Sequence, residues 1–219
     1  TFFLEKNKKP ILLTGFNRRF SPYITRIKNY IENKKRPFIL NYRVNAGYIS
    51  KENWINQSNI GGGRNIGEAC HFYDLFCFLA NSEILSIQAQ SINEDLTKNG
   101  ENQILTSLSN ENFIATIKFK NQCICNLIYT AYGNHKIPKE YFELFIGGEI
   151  FVLDDFKKLE FFGVNKNIFK TQKQDKGFSE EIKAFYNSIK SSNYSIPIED
   201  QLKVSNISFK IEKLINNNL

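Results

Sequence analysis

The sequence predicts an α+β fold: a largely antiparallel, open-faced sheet with helices on one face. Two observations point there. Strand-like runs separated by tight-turn residues succeed one another from Ile84 to Leu153, and helix-period segments lie before and after that block. A third bounds the size: 219 residues, 42% hydrophobic and 14% aromatic, supply a substantial core for one large domain.

Taken in order, Ile11 to Phe16 is a short apolar run suited to a strand buried on both faces, ending at Gly15-Phe16-Asn17-Arg18-Arg19-Phe20. Ser21 can cap and Pro22 can open a helix whose face is marked by Ile24, Ile27 and Ile31; it runs to about Lys35, and Pro37 breaks it. From Phe38 to Tyr48 apolar and polar residues alternate, with Arg43 and Asn45 on one face, as in a half-exposed strand. Asn65 or a neighbour caps the next helix, which sends Phe72, Leu75, Phe76 and Leu79 into a core before Asn81-Ser82. Strands follow at Ile84–Ser91, Ile104–Ser109, Phe113–Phe119, Cys123–Thr130, Tyr141–Ile146 and Glu149–Leu153, with turn chemistry at Asn110-Glu111-Asn112, Lys120-Asn121 and Gly147-Gly148. Helices Ser179–Lys190 and Glu199 to about Asn216 close the chain. With too few helices to cover both faces, such a sheet is expected to pair with a second copy, giving a homo-oligomer built face to face.

Composition excludes several classes. The net charge of +7 and pI near 9.1 come from lysines scattered singly, with no interleaving of basic and aromatic residues of the kind that binds nucleic acid. Cys70, Cys77, Cys123 and Cys125 are too few and too oddly spaced for a secreted disulfide framework. Cys70 and His71 project about 100° apart on a helix, and Cys123 and Cys125 lack a second pair, so no metal is expected. His135 reads as an isolated surface residue. The opening Thr1-Phe2-Phe3-Leu4 is followed at once by Glu5 and lysines, so neither a signal peptide nor a membrane span is expected, and the location is predicted cytoplasmic. Methionine is absent even at position 1: either an initiator was removed or the chain is a fragment.

The richest stretch runs from Gly61 to Asp74. Three consecutive glycines can take positive φ and let a ligand near the backbone, while Glu68, His71 and Asp74 recur every three residues and share roughly one helical face. A histidine aimed from such a helix suits proton transfer near neutral pH; the bland alternative is a ring packed under the loop. Asp74 is expected to fix the helix or bond a backbone group. Arg64 either holds an anionic substituent or is merely solvated. Tyr48, Lys51 and Trp54 are expected to form a stacking wall for a ligand, unless Trp54 belongs to the core.

The segments GFNRRFSP (15–22), YRVNAGY (42–48), GGGRNIGEACHFYDLFCFL (61–79) and YFELFIGGEIFVLDD (141–155) resemble, in order, the C-terminal half of the Gfo/Idh/MocA oxidoreductases, the family of glucose-fructose oxidoreductase and inositol dehydrogenase. The resemblance implies an N-terminal Rossmann domain that binds NAD or NADP and ends near a catalytic Lys of an EKP motif. It also implies a C-terminal domain that supplies the substrate pocket, a His and an oligomer-forming sheet. Neither a GxGxxG after a strand nor an EKP occurs here. Residues 1–20 are therefore expected to be the tail of the dinucleotide domain and 21–219 the substrate-binding and oligomerisation domain, inactive alone. In that frame His71 is the proton acceptor with Glu68 as its acid partner. Arg43, Asn45, Tyr48 and Arg64 would contact a sugar, sugar-nucleotide or polyol substrate. Arg18 and Arg19 would lie at the handover between domains, one facing the nicotinamide cleft and the other solvent. The family's Asp four residues before the His is replaced by Gly67, and Glu68 stands three before, rotated by about 100°. A non-catalytic carbohydrate-binding or scaffold module is the alternative.

Overall fold

Alternation of inward and outward side chains builds one eight-stranded sheet in this computed structural model, which describes residues 10–50, 52–57, 59–92, 111–163 and 168–216. Its strands are β1 (Ile39–Asn45), β2 (Ile84–Ser91), β3 (Asn112–Phe119), β4 (Ile124–Thr130), β5 (Glu140–Ile146), β6 (Glu149–Asp154), β7 (Lys158–Phe162) and β8 (Phe169–Lys170). They lie in the order β2-β3-β4-β1-β5-β6-β7-β8. Only the β1–β4 pair is parallel, with Ile39 opposite Ile124 and Asn45 opposite Thr130. Every other pair is antiparallel, so the α+β class and the largely antiparallel sheet are as expected. Gly147 and Gly148, with φ of +57° and +87°, make the two-residue β5–β6 hairpin.

Among the described residues the α-helices are α1 (Pro22–Lys34), α2 (Cys70–Ala80), α3 (Phe178–Ser191) and α4 (Ile198–Asn216). Ser21 Oγ accepts from the Tyr23 amide, Pro22 opens α1, and Lys35 closes it in the left-handed conformation. The core joins Tyr23, Ile24 and Ile27 of α1, Phe72, Leu75, Phe76 and Leu79 of α2, and Val204, Ile207 and Ile211 of α4 to the inward residues of the sheet, such as Leu40, Tyr42 and Val44. On the opposite face Ile39, Ile114, Ile128 and Phe145 remain exposed.

Three expectations require correction or extension. Residues 11–16 form no strand: Thr14 and Leu12 spend backbone groups on the Gln201 side chain rather than on a ladder, and only Phe16 of the run is buried. A 3₁₀ turn over Asn17–Phe20 follows. Asn65 does not cap α2. A π-helical turn over Asn65–Ala69 leads into the helix, and the buried Asn65 amide donates to Ser208 O and Glu212 Oε2 and accepts from Tyr73 Oη. Strands β7 and β8 extend the sheet beyond the run predicted. The proposed strand Ile104–Ser109, the turn residue Asn110 and Lys51 lie outside the described residues.

Candidate functional site

Four segments meet at the end of α2 that carries His71: the 3₁₀ turn after Phe16, the glycine loop, the loop before β5, and β5 itself. The glycines owe their identity largely to packing. A Cβ on Gly61 would stand 2.6 Å from the backbone of Trp54 and Ile55, and one on Gly67 would stand 2.8 Å from Gly61 O. Gly62 and Gly63 take φ of +71° and +79°.

His71 is half-buried, its ring edge-on to Phe16 at 5.8 Å between centroids, and its buried Nδ1 has no hydrogen-bond partner among the described residues. Burial, joined by the positive charge of Arg18, holds its pKa down at about 4 against the opposing pull of Glu68 and Glu140. The imidazole is therefore neutral at physiological pH.

Glu68 does not hydrogen-bond to His71. Its Oε2 accepts from Tyr129 Oη at 2.5 Å and from Arg64 at 3.3 Å, and its Oε1 accepts from Lys139 Nζ at 2.5 Å. Burial works to raise this carboxyl, but Lys139, Tyr129 and Arg64 overcome it and hold it below its ordinary value. The π-helical turn explains why a helical wheel misjudges its direction: an i→i+5 turn shifts the phase of the residues within it relative to those that follow.

Arg18 and Arg19 both point inward, correcting the expectation that one faces solvent. Arg18 is bidentate to Glu140 at 2.7 and 2.8 Å, and its guanidinium lies 4.6 Å from the Phe72 ring centroid. Glu140 also accepts from Tyr42 Oη and Lys176 Nζ. Burial would raise the Glu140 carboxyl, yet Arg18 and Lys176 bring it down to about 2. Arg19 is bidentate to the fully buried Asp74, whose carboxyl burial pushes up to about 6 in spite of Arg19. Asp74 thus fixes the helix through an arginine rather than a backbone group.

Of the expected substrate contacts, Arg43 and Asn45 hold a loop: Arg43 donates to Pro138 O, and Asn45 Nδ2 donates to Asn134 O and Ile137 O. That loop delivers Lys139 to Glu68. Arg64 is 1% exposed and donates to Gly47 O as well as Glu68, so it is not a solvated loop arginine. Tyr48 and Trp54 are 53% and 61% exposed, which removes Trp54 from the core. Sequence reasoning missed Lys139, Tyr129 and Glu140. Glu140 carried a signal, since it shares the inward phase of Phe142 and Leu144 on β5, where a carboxylate requires a buried cation. Lys139 carried none.

Free cysteines are buried or half-buried, and burial pushes the Cys70 and Cys77 thiols up to about 11 and 12. The described residues contain no group of three or more His, Cys, Asp or Glu that could hold a metal ion, and no described helix is long and apolar enough to cross a membrane.

The fold is thus an open sheet backed by helices, with a half-buried histidine at one helix end. The family model for the oxidoreductase family C-terminal alpha/beta domain (Gfo/Idh/MocA) matches residues 30–204, and the chain belongs to that family. No curated protein matches it. Among solved structures it is similar to a levoglucosan dehydrogenase determined with NADH and levoglucosan (17% identity, TM-score 0.72, covering 97% of this chain and 66% of that one). It is similar also to the UDP-N-acetylglucosamine 3-dehydrogenase GnnA from Acidithiobacillus ferrooxidans (16% identity, TM-score 0.70, 93% and 61%). An oxidoreductase domain protein from Kribbella flavida matches at 14% identity and TM-score 0.70, over 94% and 64%. At these identities the likeness is one of fold, and the chain spans somewhat less than two thirds of each neighbour's length.

Proposed function

We propose that this chain is the substrate-binding and oligomerisation domain of an NAD(P)-dependent dehydrogenase that acts on a sugar, sugar nucleotide or polyol. The observation that carries the reading is the state of His71: a neutral imidazole whose Nδ1 is sealed and unpartnered, leaving Nε2 for proton exchange with a substrate hydroxyl. Oxidation of a secondary alcohol releases that proton as the hydride departs, and a bound nicotinamide supplies the hydride acceptor. The levoglucosan dehydrogenase determined with NADH and levoglucosan, and the UDP-N-acetylglucosamine 3-dehydrogenase, support the same class.

The residues present fit the substrate side of such a site but not the nucleotide's phosphates. Arg18 and Arg19, assigned from sequence to the cofactor, are both engaged by carboxylates. The nucleotide is therefore held mainly by a domain preceding residue 21, and the chain alone does not turn over. Glu68, with Lys139 and Arg64, forms the charged wall beside His71. The exposed Tyr48 and Trp54 offer apolar faces to a sugar ring, and Arg43 and Asn45 shape the loop between them and Lys139.

The test is His71→Ala in the complete protein. Loss of a general base should lower kcat/KM by about a hundredfold or more, with an unchanged circular dichroism spectrum. An unaltered rate would take His71 out of the chemistry and favour a carbohydrate-binding scaffold, a reading that the lack of a Glu68–His71 hydrogen bond also suits.

A further inference from the structure

Two carboxylates lie within electrostatic reach of His71, and each is met by two cations. Glu140 pairs with Arg18 and Lys176, and Glu68 pairs with Arg64 and Lys139. Glu111, buried within reach of Tyr129 and bonded to Asn56 Nδ2, returns one negative charge to this network, while Arg19 and Asp74 balance each other beside it. Four cations thus face three carboxylates among the described residues. Most of these side chains are out of water, where a charge without a counterpart is costly. A ligand that brings a negative charge offsets that cost.

Lys139 is where such a charge can land. Its side chain is 40% exposed, against 2% for Arg64, 8% for Arg18 and 15% for Lys176. One of its three ammonium donors goes to Glu68 Oε1, and among the described residues the other two meet no acceptor. The group is also held still at both ends. At the backbone, Asn45 N donates to Lys139 O, Asn45 Nδ2 to Asn134 O and Ile137 O, and Arg43 to Pro138 O. At the head, Glu68 grips the ammonium and is itself fixed by Tyr129 and Arg64. A free lysine gives up rotamer freedom when it binds a ligand; one clamped in this way has already given it up.

We infer that Lys139 is a specificity-determining residue, its ammonium binding an anionic substituent, a carboxylate or a phosphate, of the substrate whose hydroxyl lies at His71. The inference deepens the proposed function and rests on it, since it presupposes a sugar or polyol at His71. The two remaining donors of Lys139 give the anion charge-assisted hydrogen bonds, which a neutral hydroxyl at the same place does not receive.

The complete encoded protein, loaded with NADH, is titrated calorimetrically at low salt with D-glucose, D-glucuronate and α-D-glucose 1-phosphate. At least one of the two anions should bind about tenfold or more tightly than glucose, and which one does so identifies the substituent. Lys139→Met should bring that ratio to about one, and Lys139→Arg should keep most of it; Lys139→Gln replaces Lys139→Met should the latter not fold. Equal weakening of all three sugars, the mark of a purely structural lysine, overturns the inference. So does a protein that binds NADH yet favours neither anion over glucose, or a preference that survives Lys139→Met, and in these cases the dehydrogenase reading stands. Failure to bind NADH overturns both.

Discussion

His71 sits between opposed charges, and the balance is measurable. Desolvation and Arg18 disfavour the imidazolium more than Glu68 and Glu140 favour it. The ring should therefore titrate with a midpoint near 4 rather than 6.5 in a proton NMR titration of this chain. The sign for stability follows: between about 6.5 and 4 the unfolded chain binds a proton that the folded chain refuses, so the His71 contribution is fully present above pH 6.5 and is lost as pH falls toward 4. A midpoint at or above 6.5 would contradict the burial and the Arg18 field together. At this scale the sequence was partly legible. His71 and Glu68 could be singled out by spacing, but two of the three partners of Glu68, Tyr129 and Lys139, lie 61 and 71 positions away in sequence, where no local pattern relates them to it.

At the scale of elements, helices read well where caps and apolar periodicity agree, as at Ser21-Pro22 and along α2. The run at 11–16 misled because hydrophobicity alone does not make a strand; it needs a neighbour to accept its backbone, and here a glutamine side chain does that instead. The π-helical turn was invisible because its cause, the buried Asn65 bonded to Ser208 and Glu212, is a tertiary contact. The junction at Gly177, where α3 begins against the 3₁₀ segment, gives a direct test. Gly177 and Gly148 have nearly the same φ, +88° and +87°, but a Cβ on Gly177 meets backbone at 2.5 Å whereas one on Gly148 meets nothing within 4 Å. Urea unfolding should show Gly148→Ala costing about 1 kcal/mol, from φ strain alone, and Gly177→Ala costing at least about 2 kcal/mol more. Equal losses would mean that the contact between α3 and the 3₁₀ segment yields freely.

Over the whole molecule, the sheet divides the structure into a face sealed by α1, α2 and α4 and a face on which Ile114 and its cross-strand partner Ile128 stand exposed beside Ile39 and Phe145. Self-association through that face, proposed with the function, predicts a solution mass above the 25.5 kDa of one chain, reduced to that value in Ile114→Glu/Ile128→Lys. Sedimentation equilibrium of both proteins checks it, and a monomeric parent would remove the sheet from the assembly. By itself the sequence determined the class of fold, the family and the helix that carries the histidine, because periodicity, capping and motif order are local and survive without neighbours. Only the tertiary structure decided which charges surround that histidine, that both arginines near residue 20 are committed to buried carboxylates, and that α3 turns its apolar side outward, leaving Phe178, Ile182, Tyr186 and Ile189 exposed. Those depend on which distant segments share one low-dielectric space, and pairing energies there are set by geometry rather than by spacing along the chain.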